Sequence, residues 1–129
     1  METAHITRTK VFLVEDSAAI RMRLIDMLGD VEGIEIVGGA DSPASAIEGI
    51  QRTQPDSVVL DIHLRGGSGI EVLREVHPVN PGIVFIVLTN HSDCQYREIY
   101  THAGASYFLD KLSDFEKVKV IVAGVHAKR

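Results

Sequence analysis

Four apolar runs in this chain stop abruptly at groups able to do chemistry. Ser57-Val58-Val59-Leu60 ends in the carboxylate Asp61, and Lys10-Val11-Phe12-Leu13-Val14 ends in the acidic pair Glu15 and Asp16. Ile83-Val84-Phe85-Ile86-Val87-Leu88 ends in Thr89, and Tyr107-Phe108-Leu109 is followed by Asp110 and Lys111. If the runs are parallel strands, their polar ends meet at one sheet edge, where open α/β sheets hold ligands. Asp61 is the expected centre of that edge. Carboxylates gathered there repel, each close pair by on the order of 4 kcal/mol at an effective dielectric of 20. Lys111 cannot neutralise Glu15, Asp16 and Asp61 together, whereas a hard divalent cation such as Mg²⁺ suits an all-oxygen site. A carboxylate can act as a nucleophile and take up a phosphoryl group. Lys111 would then supply charge, and Thr89 a hydroxyl donor, to the transferring oxygens.

The elements that must position these groups follow from the pattern between them. Ser17 or Asp16 caps a helix to about Leu28, with Ile20, Leu24, Met27 and Leu28 on one face. Residues 34–40 read as a weaker strand with two glycines, suited to a sheet edge. Ser42 and Pro43 open a helix that ends before Pro55. The run Arg65-Gly66-Gly67-Ser68-Gly69 reads as a flexible loop before a short helix carrying Ile70 and Leu73. A helix is expected from about Ser92 to Ala103, with Tyr96, Ile99 and Tyr100 as a core stripe. A last helix is expected from a cap at Ser113 or Asp114. Five βα units in succession argue for an α/β fold with one doubly wound parallel sheet and right-handed crossovers. Periodicity places the greasiest strands centrally and leaves the strand order open.

The bulk numbers bound the class. At 129 residues, with 45% hydrophobic and 24% charged residues, the chain is expected to be one domain. Residues 1–9 read as a flexible lead-in and residues 10–127 as the folded unit. A net charge of −5 gives no basic face for nucleic acid. No apolar run is long enough to span a bilayer, and the single cysteine, Cys94, suits a reducing cytoplasm.

The residues at the strand ends resemble a known family. VFLVEDS, SVVLDIHLRGGSG with a glycine eight residues after Asp61, IVLTN and GASYFLDK are similar to the motifs of response-regulator receiver domains. Those domains are the phosphorylated half of bacterial two-component signalling. The resemblance implies a flavodoxin-like, chemotaxis-regulator-like fold with five strands in the order 2-1-3-4-5 and five helices. It implies Asp61 as phosphoacceptor, and Mg²⁺ held by Glu15, Asp16, Asp61 and the backbone carbonyl of His63. Thr89 and Lys111 would bind phosphoryl oxygens, and Thr89 and Phe108 would form the switch. The implied partners are a sensor histidine kinase or phosphotransfer protein and a downstream protein effector. No enzymatic activity is expected beyond the chain's own phosphorylation and dephosphorylation. Four departures stand out: Leu112 and Arg65 where the family favours proline, Asn90 where it favours a small residue, and Phe108 in place of tyrosine.

Plainer readings exist for each residue alone. Acids at a helix N-terminus are favoured by its dipole, Thr89 could be a turn residue, and Lys111 a surface lysine. Phe108 could be core, with Tyr107 the more mobile ring. His63 and His91 read as partly exposed imidazoles without ligand duty, and His5, His77, His102 and His126 as solvated. Three rival functions would each place their own requirements on the chain. The receiver half of a longer DNA-binding regulator would carry a linker composition near residue 129, which Ala127-Lys128-Arg129 lacks. An aspartate-nucleophile phosphatase would want a second carboxylate where His63 stands. A flavodoxin would want a hydroxyl- and glycine-rich phosphate loop in place of Glu15-Asp16-Ser17.

Overall fold

The computed structural model describes residues 8–127, apart from the side chains of His91 and Ser92. The elements run β1 (Thr9–Val14), α1 (Ala18–Gly29), β2 (Ile34–Ala40), α2 (Pro43–Thr53) and β3 (Ser57–Leu60). Then come the short β4 (His63–Leu64) and β5 (Gly67–Ser68), α3 (Gly69–Val76) and β6 (Val84–Thr89). A 3₁₀ turn (His91–Tyr96), α4 (Arg97–His102), β7 (Tyr107–Asp110) and α5 (Lys117–Ala127) complete the chain. Five strands pair in parallel in the order β2-β1-β3-β6-β7. With the small β4-β5 ribbon set aside, this is the expected order 2-1-3-4-5.

Alternation along the central strands sorts the core into two layers, because successive side chains leave a strand on opposite faces. Phe12, Val14, Val58, Leu60, Phe85 and Val87 pack with Ala46 and Ile50 of α2, Val72, Leu73 and Val76 of α3, and Tyr100 of α4. Val11, Leu13, Val59, Ile86 and Leu88 pack on the other side with Leu24 and Leu28 of α1 and Val118 and Val122 of α5. The first two helix starts have a local cause. Ser17 Oγ accepts from the Ile20 N–H at 3.2 Å, and Ser42 Oγ accepts from the Ser45 N–H at 3.3 Å with Pro43 at the first turn. At the sheet edge, β2 holds one extra residue where Val11 pairs with Ile36 and Phe12 with Gly38. A Cβ on Gly38 would sit 2.8 Å from the buried Phe12 ring, and one on Gly49 would sit 2.5 Å from it. The two glycines thus make room for one aromatic ring between β2 and α2.

Several expectations are corrected. The glycine-rich stretch after Asp61 is an antiparallel ribbon, with His63 opposite Ser68 and Leu64 opposite Gly67. It leads into α3 through a capping box in which Glu71 Oε2 accepts from the Ser68 N–H at 2.9 Å. The helix expected over 92–103 begins as a 3₁₀ turn and is α-helical only over Arg97–His102. In its stripe Tyr100 is buried, whereas Ile99 is 46% exposed. The last helix starts later than expected, at Lys117, and the Asp114 carboxylate accepts from the Asp110 N–H at 3.0 Å.

At the amino ends of the strands, Thr9 opens β1 and is buried, so the strand begins inside the expected lead-in. Its N–H donates to Gly33 O at 2.8 Å, and its Oγ1 lies 2.8 Å from Nδ1 of His126. His126 is therefore a packed, partnered residue rather than a solvated one. His77 is likewise half-buried, edge-on to Phe85 with ring centroids 6.5 Å apart, while His102 is exposed. Residues 1–7, with His5, and the His91 side chain lie outside the described residues.

Gly69 explains the glycine eight positions after Asp61. It is buried at the start of α3, its N–H donates to Ile62 O at 2.8 Å, and a Cβ there would lie 2.2 Å from the backbone oxygen of Asp61. Backbone on both sides of that contact cannot step aside, so Gly69→Ala is expected to destabilise the fold by about 1–3 kcal/mol. A urea midpoint unchanged from the parent chain would show that the close approach is unimportant.

Candidate functional site

Register brings the acidic groups together. Val14 pairs with Leu60, and Leu60 with Val87, so the next residues on β1 and β3, Glu15 and Asp61, leave the sheet side by side. The Glu15 N–H donates to Ala40 O and the Asp61 N–H to Val14 O, both at 3.0 Å, which continues the ladder through both residues. On the far side, Thr89 pairs with Asp110, and the Lys111 N–H donates to Thr89 O at 2.8 Å. All of the expected groups therefore lie along one edge.

Glu15, Asp16 and Asp61 each present a carboxylate oxygen within 4.8 Å of the others. Glu15 and Asp61 are 1% and 4% exposed, while Asp16 faces solvent. One hard cation fits this all-oxygen donor set with water completing its coordination. His63, expected to add a backbone carbonyl, stands at the start of β4 two residues beyond Asp61. Lys111 Nζ lies 3.0 Å from Asp61 Oδ2 and 3.1 Å from Glu15 Oε1. The other Asp61 oxygen, Oδ1, accepts from the Ile62 N–H at 2.7 Å.

One ammonium thus serves two buried carboxylates, and the electrostatics follow. Burial first, and the charge of Asp61 second, push the Glu15 carboxyl up to about 7, against the opposing pull of the Ser17 N–H and Lys111. Burial would lower the Lys111 ammonium, yet its hydrogen bond to Asp61 and the charges of Asp61 and Glu15 outweigh that and hold it above the usual lysine value.

Thr89 is buried at the end of β6, but its hydroxyl is engaged by a residue that sequence reasoning passed over. Thr89 Oγ1 donates to Asp93 Oδ2 at 3.0 Å, and Asp93 Oδ1 is 3.0 Å from His63 Nε2. Asp93 is only 6% exposed. Burial opposes its ionisation, yet the bonds from His63 and Thr89 prevail and hold it below the usual aspartate value. On the continuous helix expected from Ser92, Asp93 would have read as one more first-turn acid. The 3₁₀ turn that places it, closed by the Asp93 N–H on Asn90 O at 2.9 Å, carried no sequence signal. The His63 side chain, expected to be partly exposed and without ligand duty, is 61% exposed and is the second partner of Asp93.

The remaining departures each have a contact. Arg65 donates its backbone N–H to Asp41 O at 2.8 Å and its guanidinium to Asp41 Oδ2 at 2.7 Å. Leu112 donates its N–H to Asp110 Oδ1 at 2.7 Å, joined by Ser113 at 3.2 Å. A proline could make neither backbone bond, and no cis peptide occurs among the described residues. Asn90 is exposed at the start of the 3₁₀ turn. Phe108 is half-buried, edge-on to Tyr100 at 6.1 Å, with the Arg97 guanidinium 4.9 Å above its ring. A cleft of about 160 Å³ lies between Thr89, Arg97 and Phe108. Arg21, another residue without an expected role, donates to the Glu15 carbonyl at 2.6 Å.

Comparison with known proteins agrees with this geometry. Residues 11–123 match the family described as the response regulator receiver domain. The chain is 35% identical over 102 residues to the DNA-binding transcriptional activator DevR/DosR of Mycobacterium tuberculosis. It is 36% identical over 115 residues to a protein-glutamate methylesterase/protein-glutamine glutaminase of Carboxydothermus hydrogenoformans. These matches cover 79% and 88% of this chain but only 47% and 34% of the two relatives, so the likeness concerns one part of each. Among solved structures, a LuxR-family two-component response regulator from Aurantimonas sp. SI85-9A1 superposes with a TM-score of 0.84 at 25% identity, covering 95% of this chain and 88% of that one. The sheet order, the carboxylate edge and the span of the match lead to one conclusion: the chain belongs to the response regulator receiver family and is a receiver domain of two-component signalling.

Proposed function

We propose that Asp61 is the phosphoacceptor of this receiver, working with Mg²⁺, and that phosphorylation is read out through protein contacts. The observation that carries this reading is the Asp61 carboxylate itself, nearly buried, shared with Lys111 and within reach of Glu15 and Asp16. A carboxylate oxygen of Asp61 attacks phosphorus as the bond from phosphorus to the donor's histidine nitrogen breaks, leaving an acyl phosphate and a free imidazole. The donor is a sensor histidine kinase or a phosphotransfer protein. Glu15, Asp16, Asp61 and the His63 carbonyl would hold the magnesium, which would supply positive charge to the phosphoryl oxygens. Lys111 supplies the ammonium, and Thr89 the hydroxyl, for the same oxygens. The cleft beside Phe108 leaves room for that ring to shift as Thr89 is drawn in, which biases the surface of α4, β7 and α5 toward a protein effector.

In this reading residues 10–127 form the working unit and catalyse nothing beyond their own phosphorylation and dephosphorylation. A net charge of −5 disfavours direct nucleic-acid binding by this chain. No helix among the described residues is long and apolar enough to cross a membrane. We place the protein in the cytoplasm, where its phosphoryl donors work.

Two measurements test the site. Labelling by acetyl phosphate in Mg²⁺ is expected to fall to background in Asp61→Asn, and full labelling of that variant would overturn the assignment. The second concerns Glu15, whose carboxyl is raised in the folded chain from 4.5 to about 7. Between those values the folded chain keeps a proton that the unfolded chain has released, so stability falls as pH rises across that range. The fall amounts to about 3 kcal/mol at most, at 1.36 kcal/mol per unit. Urea midpoints in EDTA at pH 5 and pH 8 should drop further for the parent chain than for Glu15→Gln. Equal drops would show that Glu15 is ionised throughout.

A further inference from the structure

The proposed chemistry needs the Thr89 hydroxyl proton, and in this structure that proton is already committed. A hydroxyl has one proton to donate, and Thr89 gives it to Asp93 Oδ2 at 3.0 Å. Asp93 does not hang loosely there. It is 6% exposed, and its other oxygen is 3.0 Å from His63 Nε2. The carboxylate therefore joins two segments that both flank Asp61: the turn after β3, through His63, and the turn after β6, through Thr89 and its own 3₁₀ backbone. The Thr89 hydroxyl is the donor and the Asp93 carboxylate the acceptor of this bond.

We infer that Asp93 is a positioning residue that holds the Thr89 hydroxyl in reserve and sets how readily phosphorylation of Asp61 recruits it. The inference rests on the reading of Asp61 and Thr89 given above. Recruitment exchanges one anionic acceptor for another, Asp93 for the phosphoryl group, so the net gain is smaller than a new charged hydrogen bond would provide. His63 anchors the carboxylate that competes. Removing Asp93 frees the hydroxyl before any phosphoryl arrives, and the acyl-phosphate state then forms against less resistance.

The test is a double-mutant cycle read by titration calorimetry with Mg²⁺ and beryllofluoride, a mimic of the acyl phosphate. Asp93→Ala is expected to bind about tenfold tighter than the parent chain, in line with the loss of one competing charged hydrogen bond. Asp93→Asn, which keeps the shape and a weaker acceptor, should fall between them and serves if the alanine variant folds poorly. In a Thr89→Ala background the same Asp93 substitutions should change binding by no more than about twofold, because no hydroxyl remains to be released. Equal affinities of the parent chain and both Asp93 variants would overturn the inference. So would an equal gain with and without Thr89, since that is the signature of simply removing a negative charge near an incoming anion. If the parent chain itself takes up no beryllofluoride, the reading of Asp61 fails and the role of Asp93 falls with it.

Discussion

The site depends on a single ammonium shared between two carboxylates that are almost out of water. Lys111 Nζ lies 3.0 Å from Asp61 and 3.1 Å from Glu15. Two like charges at about 4 Å repel by on the order of 4 kcal/mol at an effective dielectric of 20, and Asp16 stands close by. The chain answers with geometry: β7 delivers Lys111 from the end of a paired strand, and the first ladder bonds beyond β1 and β3 fix Glu15 and Asp61. Burial first, and the charge of Asp61 second, still push the Glu15 carboxyl upward, and the surplus of negative charge makes the edge receptive to a cation. An acidic cluster that neutralised itself completely would have no such demand.

Around this centre, the connecting turns are tied by carboxylates and backbone N–H groups rather than by fixed proline rings. Asp110 gathers the N–H groups of Leu112 and Ser113, Asp41 takes both the backbone and the guanidinium of Arg65, and Asp93 joins Thr89 to His63. Hydrogen-bonded turns of this kind can exchange partners, which a proline ring cannot. The departures from the family pattern and the contacts that replace them form one arrangement. Leu112, 90% exposed at the turn after Lys111, shows that the position is held by its backbone and not by packing.

Much of the fold was legible in the chain because its central strands are long apolar runs that end in chemistry. The register of Val14, Leu60 and Val87 then places Glu15 and Asp61 together with no further instruction. What escaped sequence reasoning shares a cause. The β4-β5 ribbon reads as a glycine loop by composition, yet its pairing and the Ser68-Glu71 capping box are tertiary outcomes. The 3₁₀ turn before α4 has the polar, periodic look of a helix start, and only the acceptors of Asp93 reveal its purpose. His126 carries no motif, and its partner Thr9 is 117 residues away.

That last contact has a consequence for how such a unit is built into larger chains. Thr9, Gly33 and His126 meet at the amino ends of the strands, opposite the edge that carries Asp61. The carboxylate edge is therefore assembled wholly from internal turns, while the first strand and last helix close the fold on the remote side. Polypeptide attached before or after a unit of this shape need never cross the carboxylates. Strand polarity alone makes the domain portable, and relatives of which it forms 47% or 34% are what portability permits.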